Sequence, residues 1–195
     1  MCLMNASKKK ILYSAYHLFR RQGYNATGLQ EILDKSKTGK SQLYHHFSSK
    51  EELLLESLKF YSEKVYAETS KFMYGIKSLD EFERIIAGSR RLARSQSVIV
   101  GCYFGSIAGE LAVTNPSIRK FLVDLYDDWQ KLFVAGLEEL KNRSLISKDA
   151  KTDELAEFFL VSVQGAFILA KTTEDLSVID RSIQKSLNYI RSYAI

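Results

Sequence analysis

Cysteine is nearly absent from this chain. Cys2 and Cys102 are the only two in 195 residues and form no C-x-x-C pair, which excludes a disulfide scaffold and a thiolate zinc site. Proline is rarer still, at Pro116 alone. No Ser/Gly/Pro-rich linker and no Asn-Gly or Asp-Gly dipeptide occurs, so tight hairpins have no signal. Long hydrophobic runs are also missing. The most apolar stretch, Val98 to Val113, contains Glu110 and follows Arg90, Arg91 and Arg94, too short and interrupted for the roughly 20 residues a bilayer requires. The opening "MCLMNASKKK" puts its charges after a very short apolar stretch, the reverse of a secretory signal. A soluble, cytoplasmic protein is expected. Nor does the chain carry G-x-S-x-G, H-E-x-x-H, a P-loop or a nucleotide fingerprint, so no enzyme is expected.

What is present is helical periodicity and lopsided charge. The chain is 46% hydrophobic and 12% aromatic, enough for a core and against disorder. Residues 1–50 hold nine Lys/Arg against Glu31 and Asp34, a balance of +7, while the remainder sums to −2. That asymmetry suggests a polyanion-binding head on a near-neutral body. The periods predict an all-α fold of about nine helices.

Ser7 is placed to cap a first helix, whose stripe is Ile11, Leu12, Ala15, Leu18 and Phe19 and whose end is signalled by Gly23 behind Arg20 and Arg21. Thr27 opens a two-turn helix carrying Leu29, Ile32 and Leu33, broken at Lys37-Thr38-Gly39. A second short helix runs from Lys40 to about Phe47. Ser48 or Ser49 then caps a long helix with Glu51 and Glu52 in its first turn, expected to run past Met73. Further helices are predicted over about 78–95, 116–142, 152–171 and 176–193, with Asn115-Pro116 as a stop and restart.

Two short helices between longer ones make a helix-turn-helix, whose second helix fits a major groove about 12 Å wide. Its exposed chemistry suits DNA. Gly39 opens the backbone to a phosphate; Lys40, Ser41 and Gln42 occupy the first turn, and Gln42 can pair bidentately with adenine. Tyr44 and His45 suit phosphate or thymine-methyl contacts, and Lys50 and Thr27 suit backbone contacts. His45 and His46 are adjacent and point about 100° apart on a helix, which argues against a shared metal. His46 is expected to turn inward and bond the backbone.

"FRRQGYNATGLQEIL" and "GKSQLYHHFSSKEEL" carry a resemblance. With them, residues 11–58 resemble the DNA-binding domain of TetR-family transcriptional regulators. The resemblance implies that Thr27, Gly39, Lys40, Ser41, Gln42, Tyr44, His45 and Lys50 face DNA. It implies a helix-turn-helix domain over 1–52 and a ligand-binding and dimerisation domain over 53–195. The expected partners are a double-stranded DNA operator, a second copy of the chain and a small-molecule effector, without cofactor, metal or membrane. Two departures stand out. Ser36-Lys37-Thr38 replaces the family's usual Ala-Gly-Val, placing Lys37 where glycine's freedom is usual and adding a cation beside the groove. Leu33 replaces a small alanine.

The body offers candidates and alternatives. "LAEFFLVSVQGAFILAK" is apolar around most of its circumference, which suits either a dimer helix or a monomer's core helix. As an interface it would use Phe158, Ser162, Gly165, Ala166 and Leu169, with Ile183 and Leu187 from the last helix. Gly101, Gly105 and Gly109 recur at i, i+4, i+8, clearing a helix face for a ligand or for close packing. Tyr103, Phe104, Tyr126, Trp129, Phe133, Phe159 and Phe167, with Glu110 and Gln164 as polar anchors, are either an effector pocket or core. Cys102 is either an inert thiol or a redox or electrophile sensor, and a ligand-independent DNA-binding protein remains a further reading.

Overall fold

The computed structural model describes residues 5–81, 84 and 101–195. Among them are eight helices: α1 (Ala6–Gln22), α2 (Leu29–Ser36), α3 (Lys40–His46), α4 (Lys50–Met73), α5 (Tyr103–Leu111), α6 (Pro116–Asn142), α7 (Thr152–Thr173) and α8 (Ser177–Arg191). The fold is all-α, and Ile146 and Ala194 form an isolated antiparallel bridge. The helix expected over 78–95 lies largely outside the described residues.

Local chemistry sets the boundaries. Asn5, not Ser7, caps α1: its side chain accepts from the Ser7 N–H, the N2 contact an N-cap makes. Gly23 ends α1 at φ 90°, its N–H donating to the Phe19 carbonyl. Ser49 Oγ accepts from the Glu52 N–H at 3.0 Å, and the Glu52 carboxylate accepts from the Ser48 N–H at 2.7 Å. These bonds fix the start of α4. Asn115 Oδ1 accepts from Ile118 N–H at 2.9 Å, with Pro116 as the first residue of α6. α4 ends at Met73 rather than running past it. Gly101 lies outside any helix at φ 68°, so the expected glycine stripe reduces to Gly105 and Gly109 on α5.

The chain divides into two compact units, Met1–Val65 with Ser106–Leu122, and Tyr66–Gly105 with Val123–Ile195. The expected 52/53 boundary falls within the first turn of α4. In the first unit Ile11, Leu12, Ala15 and Phe19 of α1 are buried, as are Ile32, Leu33, Leu43, Phe47, Leu53, Leu54 and Leu58. In the second, α7 and α8 share a core built by Phe159, Val163, Ala166, Ile179, Ile183 and Leu187, which Leu132, Phe133 and Leu137 of α6 extend.

Candidate nucleic-acid interface

α3 is held from inside and polar outside. Leu43 and Phe47, one turn apart, are both 1% exposed, which leaves Lys40, Ser41, Gln42, Tyr44 and His45 exposed together. Gly39 is the N-cap at φ −88°, ψ 162°, a backbone any residue adopts, and a Cβ there would meet nothing within 4 Å. Neither strain nor crowding inside the protein calls for glycine at that point. Gln42 Oε1 accepts from the Gly39 N–H at 3.2 Å, the one half of a capping box that a glycine N-cap allows.

The α2–α3 turn carries the strain expected of its departure. Lys37 sits in the left-handed region at φ 54°, and the Thr38 N–H returns to the Leu33 carbonyl at 3.2 Å. That six-residue return is the Schellman closure, in which glycine is usual. Ser36 Oγ donates to the Leu33 carbonyl at 3.1 Å and lies 2.6 Å from Thr38 Oγ1. Leu33 is buried and borders a cleft of about 180 Å³ with Leu29, Gln30, Lys40, Leu43 and Tyr44. Gln30 joins the candidate surface only here; exposed polar residues on α2 give no sequence signal of their own.

Three expectations are corrected. Thr27 is 1% exposed and its hydroxyl donates to the Gly23 carbonyl at 2.6 Å; it closes the α1–α2 turn instead of facing DNA. His46 does not bond the backbone: its Nε2 lies 2.8 Å from Ser7 Oγ, while Ser7 donates to Asn5 Oδ1. Desolvation, then His45 and Lys8, lower its pKa. Glu110 does not anchor the aromatic cluster: its carboxylate accepts from the N–H groups of Tyr24 at 3.2 Å and Asn25 at 3.0 Å. Lys50 is half-buried, its Nζ 4.3 Å from the centre of the Tyr24 ring. Burial lowers its pKa and Glu110 opposes that shift.

In the second unit part of the proposed pocket set does assemble. Phe104 lies 5.4 Å from Trp129 edge to face, and Tyr126 lies 6.0 Å from the same indole. Among the described residues the buried Trp129 Nε1 donor has no hydrogen-bond partner. Burial holds the Tyr126 hydroxyl above its ordinary pKa. Tyr103, Phe133 and Phe167 are buried; Gln164 approaches Gly105, where a Cβ would sit 3.0 Å from its Oε1. Cys102 is half-buried, and no group of three or more His, Cys, Asp or Glu suited to a metal occurs among the described residues.

The interface candidates divide. Ala166, Ile183 and Leu187 are 3%, 2% and 0% exposed inside their own chain, because α7 packs on α8 through them. Phe158 (44%), Val161 (64%), Ile168 (61%) and Leu169 (54%) are exposed and fall with Ser162 and Gly165 on one face of α7. By length and composition α7 alone among the described helices could cross a membrane.

Residues 11–57 match the family described as "Bacterial regulatory proteins, tetR family". Residues 78–185, more than half the chain, match "Transcriptional regulator LmrA/YxaF-like, C-terminal domain". The chain belongs to the TetR family. It is a DNA-binding transcriptional regulator, not an enzyme. This TetR-family chain is 29% identical over 181 residues to an uncharacterized HTH-type transcriptional regulator in the lacX 3' region of Lactococcus lactis subsp. lactis, covering 89% of this chain and 88% of that protein. It is 28% identical over 149 residues to the biofilm operon icaADBC negative transcriptional regulator IcaR of Staphylococcus aureus (strain Newman), covering 67% of this chain and 80% of that protein. A crystal structure of regulatory protein TetR from Rhodobacter sphaeroides shares the fold at TM-score 0.82 and 18% identity, covering 98% of this chain and 100% of that one.

Proposed function

We propose that this regulator is a homodimeric repressor that leaves a palindromic operator when a small apolar or aromatic molecule binds its second unit. The observation that carries the reading is α3, whose exposed first turn is polar and cationic while Leu43 and Phe47 fix it from behind. Lys40, Ser41 and Gln42 would read base edges; Gly39, Tyr44, His45, Lys37 and Lys50 would take phosphates and sugars. The relative IcaR is named a negative regulator, which favours repression.

Dimerisation rests on the exposed apolar stripe of α7, continued by Tyr189 of α8, whose ring lies 5.0 Å from Phe158. A contiguous apolar face of this kind marks an interaction site, and a two-fold pair would present two recognition helices to a palindrome. The small molecule would act by its differential affinity for two arrangements of the pair. The Phe104–Tyr126–Trp129 ring cluster supports an aromatic effector, and the buried indole N–H, without a partner among the described residues, would suit an acceptor on it. A DNA partner supports a cytoplasmic location.

Footprinting the purified protein on bacterial genomic DNA tests the proposal. Protected palindromes near a small set of genes are expected. Uniform coverage without preferred sites would reject it.

A further inference from the structure

We infer that Glu110 is a positioning residue for DNA binding, holding the turn that carries Tyr24 and, through the Tyr24 ring, seating the Lys50 ammonium for its phosphate. The inference rests on the proposed DNA contact of Lys50.

The α1–α2 turn is built around the carboxylate. Two successive peptide N–H groups, those of Tyr24 and Asn25, donate to its two oxygens. Hydrogen bonds to an ionised acceptor are roughly twice as strong as neutral ones. Gly23, beside them, has φ 90°, and a side chain there would collide with the Glu110 carboxylate; the turn has closed to contact. Thr27 locks the far side, its hydroxyl on the Gly23 carbonyl and its N–H on the Tyr24 carbonyl at 3.2 Å.

Tyr24 passes this order on. Its backbone is in the carboxylate's grip, its ring lies 5.6 Å from the Phe19 ring, and Lys50 Nζ stands 4.3 Å from its centre. A lysine free in solvent spreads over many rotamers, and immobilising it on binding opposes affinity. A ring held in place, with a carboxylate nearby, selects the rotamer before DNA arrives. Glu110 would itself repel a phosphate, so it cannot favour binding by direct contact with DNA.

The test compares Glu110→Gln, Lys50→Met and the double variant with wild type, on a duplex that wild-type protein selects from a random-sequence pool. Gln keeps the shape but has one acceptor oxygen for two donors. Glu110→Gln is expected to weaken binding about tenfold and to flatten the salt slope by about one, the signature of one lost phosphate contact. In the Lys50→Met background it should cost nothing further. An equal loss in both backgrounds, with a lowered melting temperature, would mean a general structural role and overturn the inference. Tighter binding by Glu110→Gln would overturn it too, since the carboxylate would then act only by repulsion. Tyr24→Leu keeps the backbone N–H and removes the ring; it should reproduce the loss, and unchanged affinity would contradict the seat. If wild type selects no sequence, the proposed function has failed first; if it does and Glu110→Gln binds like wild type, only this inference falls.

Discussion

Gln42 Oε1 accepts the Gly39 N–H at 3.2 Å, so the side chain best suited to read adenine also caps its own helix. Base reading requires it to turn outward, and the Gly39 N–H is then free for a phosphate oxygen. Gln42→Ala removes both functions. Discrimination at one position of each half-site should fall by roughly 1–3 kcal/mol. Gln42→Glu separates the two, because it caps equally well but has no amide donor; its charge also repels phosphates on every sequence, so the base-reading loss is what operator DNA loses beyond random DNA. It should keep the melting temperature and lose operator affinity. Competition binding against single-base operator variants measures this, and equal loss on operator and random DNA would argue against base reading.

Gly39 needs no glycine for the protein's own sake, having neither a left-handed φ nor a neighbour within 4 Å of a Cβ. Gly39→Ser should therefore leave the protein as stable or more stable by a few tenths of a kcal/mol, serine being a good N-cap. DNA binding should weaken on all sequences, since the added side chain stands between backbone and phosphate. Thermal melting and fluorescence anisotropy on the same preparation check the pair of signs.

Lys37 presents the opposite case. Its left-handed φ of 54° costs an L-residue roughly 1–2 kcal/mol, offset in part by the entropy glycine would lose on folding. Lys37→Gly should raise stability by up to about 1 kcal/mol and shrink the salt dependence of DNA binding by about one. A lowered denaturation midpoint would contradict the strain.

Ile168 is 61% exposed on the apolar stripe of α7. Ile168→Glu should convert the proposed dimer to a folded monomer by light scattering and abolish tight binding to a palindrome. A variant still in the wild-type state would move the interface elsewhere.

His17 supplies a pH dependence. Burial, then Lys35 and Arg20, lower its pKa. The unfolded chain thus binds the proton first as pH falls below about 6.5, so folded stability is present above that value and declines as pH drops towards 5. His46, lowered by desolvation, acts in the same sense. His17→Phe keeps the ring contacts with Tyr13 and Tyr16 and should reduce the loss of melting temperature between pH 7.5 and 5.5. An unchanged pH profile would remove His17 from the effect.

The DNA-binding head was legible because its signals are local. Gly23 behind Arg20 and Arg21, the Ser49/Glu52 pair and the Leu43/Phe47 spacing each act within one or two turns, and the helices end where those signals stand. Glu110 was not legible. Its partners are peptide N–H groups 85 and 86 residues away, and backbone donors have no residue identity to read. Thr27 was misplaced for a related reason: a helix-opening threonine can face outward or fold back on the preceding turn, and only the position of the Gly23 carbonyl decides. On α7, apolar residues on several faces predicted cover but not its source. α8 covers the Ala166 face from within the chain; Val161 and Ile168 remain outside.

The most direct measurement is the ratio of affinities for a wild-type-selected palindromic duplex and a scrambled duplex of equal length and composition, at physiological salt. The expected ratio is about 10³ or more, and it should collapse in Gln42→Glu. Equal affinity for the two duplexes would contradict it.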